Sequence, residues 1–185
     1  VGHFNTYIQI VILIFMILAG MNFNLFFVLQ RKGLRKFLHD DELRFYLAVI
    51  GIASTAIFIC NQVNSNFKDT ARSLLDSFFQ VVSILTTTGY VTDDYDLWPT
   101  FSRMILFCLF FFGGCSSSTS GGIKCVRVLV CLKLVRRSVS LRLHPNRIAP
   151  ITLNESEVPS EVIINITNFV FTYIAVIFAG MFLIS

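Results

Sequence analysis

An all-α membrane protein is the fold class this sequence predicts, on three observations. Only 14% of the 185 residues are charged, against 55% hydrophobic, and 20 are Phe; a soluble domain carries about a quarter charged residues. Four runs contain no Asp, Glu, Lys or Arg: residues 4–30, 45–67, 104–123 and 162–185, of 27, 23, 20 and 24 residues. A hydrocarbon core about 30 Å thick takes about 20 apolar residues as helix. Third, the bases sit between alternate runs, as they do in a multi-pass membrane protein. Disorder, a coiled coil and an ordinary cytosolic enzyme domain are excluded.

The first run, residues 4–30, reads as a spanning helix. It is too long for a signal peptide and lacks a small-residue cleavage site. The chain opens on Val and stops inside an apolar run, so an internal piece of a longer protein is expected. Segment 31–44 holds Arg31, Lys32, Arg35, Lys36 and Arg44, and the segment after residue 123 holds Lys124, Arg127, Lys133, Arg136, Arg137, Arg142 and Arg147. Those are 12 of the 15 bases. Residues 61–103 hold Lys68, Arg72 and Arg103 against Asp69, Asp76, Asp93, Asp94 and Asp96. The positive-inside rule puts the basic segments in the cytoplasm and the acidic one outside. Phe37 is the one aromatic residue among these bases, which argues against nucleic acid as a partner. The lipid bilayer is the expected surrounding, and the cell (inner or plasma) membrane the expected location. Cys60, Cys108, Cys115, Cys125 and Cys131 form no CxxC and read as small buried apolar residues.

Residues 77–92 are charge-free for 16 positions, too few to cross, with both flanks expected outside. Leu74, Leu75, Phe78, Phe79, Val82 and Leu85 recur at helical spacing, and Asp69 or Thr70 offers an N-cap. The pattern stops at Thr86-Thr87-Thr88-Gly89-Tyr90. A short helix that dips in and returns as extended chain fits, lining a cavity, because bare backbone at membrane depth needs protein or water around it. Successive carbonyls pointing to one side could replace the hydration shell of K⁺ there, with Gly89 supplying positive φ and Thr87 and Thr88 adding hydroxyl oxygen. An external turn is the competing reading of the five residues alone. Asp76 and Gln80, one turn apart, could hydrogen-bond behind the loop, or Asp76 could face water.

Residues Gly113, Gly114, Cys115, Ser116, Ser117, Ser118, Thr119, Ser120, Gly121 and Gly122 interrupt what would be the middle or inner half of the third span. A phosphate loop would want Gly-Lys then Ser or Thr, but Ile123 intervenes before Lys124. A hydrolase elbow needs G-x-S-x-G, which is absent. Small-residue helix packing and a flexible gate remain, and the gate better explains a break of this depth. Lys124, abutting the break, is either a gate partner or a cytoplasmic anchor.

The run FFQVVSILTTTGY followed by GGCSSSTSGGIK strongly resembles the Trk/Ktr/HKT superfamily of K⁺ transporters, membrane subunits of the TrkH and KtrB kind. The resemblance covers essentially the whole chain. It implies helix–pore loop–helix repeats, K⁺ as the transported ion, no organic cofactor, and transport rather than enzyme catalysis. It also implies the last helix of one repeat at 1–30, a cytoplasmic loop at 31–44, a complete repeat at 45–137, a second cytoplasmic loop at 138–161, and the first helix of the next repeat at 162–185. By the same resemblance Thr86 to Tyr90 are this repeat's share of the selectivity filter, with K⁺ at Thr87 and Thr88. Gly113 to Gly122 are the intramembrane gate loop, and Gly20-Met21-Asn22-Phe23 matches the family's pattern at the end of the preceding helix. A homodimer and a cytosolic nucleotide-binding regulatory subunit are the implied partners. A membrane scaffold or permease subunit without a filter is one alternative. The other is a conventional K⁺ channel subunit, against which stand the missing second glycine after Tyr90 and the broken third span.

Overall fold

The computed structural model describes residues 1–64, 69–144, 150–154 and 156–184. Lys68, Arg147, the end of the second charge-free run at 65–67, and Ser185 lie outside the described residues. The chain forms two compact units, Val1–Cys125 and Val126–Ser185.

In the first unit, α1 (Thr6–Ala19) and α2 (Asn24–Lys32) meet at 89°. The expected single helix over 4–30 is therefore two helices broken at residues 20–23. Close packing explains the break. A Cβ on Gly20 would run into the Tyr46 hydroxyl and lie 2.8 Å from Thr86 Cγ2. The Asn22 side chain then accepts from the Asn24 N–H at 3.0 Å and starts α2. A four-residue turn, α3 (Leu34–Phe37), leads to α4 (Asp41–Asn64). Asp40 caps α4 by accepting from Leu43 N–H at 2.8 Å. Leu43, Tyr46, Ile50, Ala53, Ile57 and Asn61 make its buried stripe, at steps of three and four. The stripe packs on α5 (Thr70–Leu85) and α6 (Thr100–Leu109).

Helix α5 starts where the sequence predicts, with Asp69 accepting from Ala71 N–H (3.1 Å) and Arg72 N–H (3.5 Å). Its 16 residues rise about 24 Å at 1.5 Å each. From Phe79 to Leu85 every residue is buried. Helix α6 has only 10 residues before Phe110 ends it, so the charge-free run at 104–123 is not a continuous spanning helix. The backbone resumes helical form at α7 (Cys125–Leu143).

The second unit holds the rest of α7, a two-strand hairpin and α8 (Ser160–Ile184). Strands β1 (Thr152–Leu153) and β2 (Ser156–Glu157) pair antiparallel, a small addition to the predicted all-α fold. Lys133 Nζ donates to Thr152 O at 2.7 Å and the Arg127 guanidinium lies 3.7 Å above the Phe169 ring. Among the described residues α4 and α8 are long and apolar enough to cross a membrane, and the bent α1–α2 pair would make a third.

Candidate functional site

Helix α5 delivers Thr86–Tyr90 at its C-terminal end. The N–H groups of Thr86, Thr87, Thr88 and Gly89 all turn back onto the helix, donating to Val82 O (2.9 Å), Ile84 O (3.0 Å), Ser83 O (2.9 Å) and Ser83 O (3.4 Å). The Ser83 hydroxyl donates to Tyr90 O at 2.6 Å and closes the loop. With every donor used on one side, the carbonyls of Thr86, Thr87, Thr88 and Gly89 accept no hydrogen bond among the described residues. The backbone alternates in hand: φ is −85° at Thr86, +56° at Thr87, negative at Thr88 and +77° at Gly89. A β-branched residue at positive φ is strained by about 1–3 kcal/mol and persists only where its surroundings fix it. Thr86 is buried while Thr87 to Tyr90 are exposed.

The hydroxyls divide their work. Thr86 Oγ1 donates to Val82 O (2.7 Å) and shares a hydrogen bond with Thr88 Oγ1 (2.8 Å). Thr87 Oγ1 accepts from the Gly121 N–H at 2.8 Å, so residues 113–122 touch the 86–90 loop directly.

That second loop is held mostly by atoms outside it. Cys115 N–H donates to Gly20 O (2.9 Å) and Thr119 N–H to Ala19 O (3.4 Å), both carbonyls released by the break in α1. Phe23 N–H donates to Ser117 O at 3.3 Å. Glu42 is 4% exposed and receives Ser116 N–H at 2.5 Å and the Ser116 hydroxyl at 2.6 Å. Asn22 Nδ2 donates to Ser116 Oγ (3.2 Å) and Glu42 Oε2 (3.5 Å). Within the loop, Ser120 Oγ accepts from Gly114 N–H (2.7 Å) and meets Ser118 Oγ at 2.9 Å. Lys124 Nζ donates to Ser120 O (2.6 Å) and Ser118 O (3.2 Å). Ser117 and Gly122 take positive φ, +57° and +71°. The loop closes where Gly113 N–H meets Ile123 O at 2.5 Å.

Three residues of this site were not picked out as site residues in the sequence: Gly20, Asn22 and Glu42. Gly20 and Asn22 stand only in the family pattern at 20–23, and Glu42 is one of three acids among five bases just ahead of an apolar run. Asp76 does not bond Gln80. Its Oδ2 accepts from Arg72 Nε at 2.9 Å, and Arg72 also donates to Gln9 Oε1 at 2.9 Å, so the turn before supplied the competing partner. Of the acids after the loop, Asp93 accepts from Trp98 Nε1 (2.8 Å) and Asp94 caps the short helical turn Tyr95–Leu97.

The TrkH family, described as cation transport protein, matches residues 1–185. The Trk system potassium uptake protein TrkH of Salmonella typhimurium is 35% identical over 98% of this chain and 38% of its own length. The protein of the same name from Escherichia coli K12 is 32% identical, with the same shares covered. The crystal structure of the potassium transporter TrkH from Vibrio parahaemolyticus superposes with a TM-score of 0.87 at 27% identity, covering 97% of this chain and 39% of that one. The chain thus spans well under half the length of the relatives it matches.

Proposed function

The chain belongs to the TrkH family of cation transport proteins, and on that premise we propose that it forms one helix–pore loop–helix unit of a K⁺-uptake subunit in the cytoplasmic membrane. The observation that carries this reading is the run of four carbonyls, Thr86 to Gly89, with no hydrogen-bond donor of their own. A dehydrating K⁺ ion needs oxygens in place of its water, and carbonyls directed by alternating backbone hand provide them. The C-terminal end of α5, partly negative, favours a cation beside it. The hydroxyl of Thr87 adds a further oxygen, and the Thr86–Thr88 bond braces the loop.

Residues 113–122 act as the gate in this reading. Gly121 N–H engages Thr87, so the loop lies against the filter when closed and must leave for ions to pass. Lys124 steadies the loop from its C-terminal side. Transport, not catalysis, is the activity. A homodimer and a cytosolic nucleotide-binding regulator complete the assembly, the regulator acting from the basic side.

Gly89→Ser in the full-length transporter tests the filter. A Cβ at φ +77° is strained even though open space surrounds it, so the expected result is a fall of about ten-fold in K⁺ over Na⁺ preference, for a backbone penalty of about 1–2 kcal/mol. Uptake of ⁸⁶Rb⁺ and Na⁺ into proteoliposomes reads it. Unchanged flux and preference at normal expression would remove residues 86–90 from the ion path.

A further inference from the structure

We propose that Glu42 is the positioning residue that holds the gate loop closed; the inference rests on the gate reading of residues 113–122. Asp40 already caps α4, so the carboxylate of Glu42 is not needed for the helix start. It turns instead to Ser116, 74 residues away, and takes both donors of that residue, N–H at 2.5 Å on Oε1 and hydroxyl at 2.6 Å on Oε2. Asn22, at the break between α1 and α2, donates to both members of the pair. Three segments distant in sequence therefore converge on one buried carboxylate.

The charge is tolerable there for a physical reason. Glu42 sits in the first turn of a 24-residue helix, where the helix end favours an anion. Among the described residues it makes no ion pair, and Lys124 turns its ammonium to Ser118 and Ser120. Ser116 and Asn22 are thus the groups that replace its water. Hydrogen bonds to an ionised acceptor are the strong ones, so this contact dominates the weaker backbone bonds of 2.9–3.4 Å that tie Cys115 and Thr119 to α1. When the loop leaves, water entering the vacated space takes over the carboxylate. The contact exists in the closed position alone, which is what a contact must do to bias the gate.

Glu42→Gln, Ser116→Ala and the double variant test this in the full-length transporter, with ⁸⁶Rb⁺ flux measured without regulator and normalised to folded, membrane-inserted protein. Each single change is expected to raise flux, Glu42→Gln by about ten-fold given the strength of a charged hydrogen bond. The double variant should match Glu42→Gln rather than multiply the two effects. The Rb⁺ over Na⁺ ratio should not move, which a general loosening of the fold would disturb. A folded Glu42→Gln or Ser116→Ala protein with unchanged or lower flux overturns the proposal, as do multiplying effects. Should Glu42→Gln fail to insert, Ser116→Ala alone decides. Deleting residues 116–120 separates the two levels: raised flux in the deletion with none in Glu42→Gln sinks the anchor only, whereas unchanged flux in both sinks the gate itself.

Discussion

Residues 86–90, the proposed filter, and residues 113–122, the proposed gate, sit in contact, yet they are built on opposite plans. Residues 86–90 are tied to their own helix, through four backbone N–H bonds and the Ser83 hydroxyl. Residues 113–122 are tied to other segments: Ala19 and Gly20 before the bend, Glu42 at the start of α4, and Thr87 in the filter. A loop fixed by its own helix keeps its shape whatever its neighbours do. A loop fixed by distant atoms can be released by moving them. With the proposed roles, ion choice and ion release can vary separately, and substitutions at four positions test how far.

The largest expected effect is on folding. A Cβ on Gly113 would fall on the Gly121 carbonyl oxygen, with Ile123 O at 3.1 Å as the next obstacle. Both are backbone and cannot swing aside. Gly113→Ala should cost about 3 kcal/mol, the upper range for overpacking, and lower the thermal midpoint of the detergent-solubilised transporter. Gly89→Ala has no atom within 4 Å of its new Cβ and carries only the positive-φ penalty of about 1 kcal/mol. If the two variants melt together, the contrast between the loops is mistaken.

The Thr87–Gly121 bond is the one place where the two plans meet. Thr87→Ala removes the acceptor, leaving Gly121 N–H without its 2.8 Å partner in the closed position. A neutral hydrogen bond contributes about 1 kcal/mol net, so regulator-free ⁸⁶Rb⁺ flux should rise about five-fold relative to the regulator-stimulated flux of the same variant, a ratio in which the lost ligand oxygen of Thr87 cancels. Thr87→Ser keeps the oxygen and should stay near the parent level. Equal flux from the two variants would show that the hydroxyl does not link filter to gate.

How much of this was written in the sequence follows from the same contrast. Helix α5 and its cap were legible because both are local: an apolar period of three and four, and an Asp at the correct offset. Residues 86–90 and 113–122 were legible as breaks, since charge-free runs containing Thr-Gly-Tyr or four glycines fit no spanning helix. The bend in α1 was not. One glycine at position 20 resembles any membrane-helix glycine until Tyr46 and Thr86 are seen against it. Glu42 was invisible for a related reason. In a segment with five bases a carboxylate reads as solvated charge, and its burial depends on Ser116, 74 residues on. Asp76 shows the limit even at short range, where Gln80 and Arg72 were both one turn away and charge chose Arg72.

The smallest effect is expected at Lys124, and its smallness is the point. Its Nζ donates to Ser120 O at 2.6 Å, to Ser118 O at 3.2 Å and to Ser118 Oγ at 3.4 Å, all within six residues of itself. This clasp folds the loop upon itself and reaches no other segment. If the loop moves as a body, the clasp is present in both positions and contributes equally to each. An interaction equal in two states shifts nothing between them, however strong it is. Lys124→Gln should therefore change regulator-free flux by less than about two-fold, while lowering the stability of the folded protein by about 1–2 kcal/mol through the lost charged hydrogen bonds. The measurement is ⁸⁶Rb⁺ flux beside a thermal melt on the same preparation. A flux rise as large as that of Thr87→Ala would mean the clasp opens with the gate. The loop would then uncoil rather than swing, and Lys124 would join Glu42 among the residues that keep it shut.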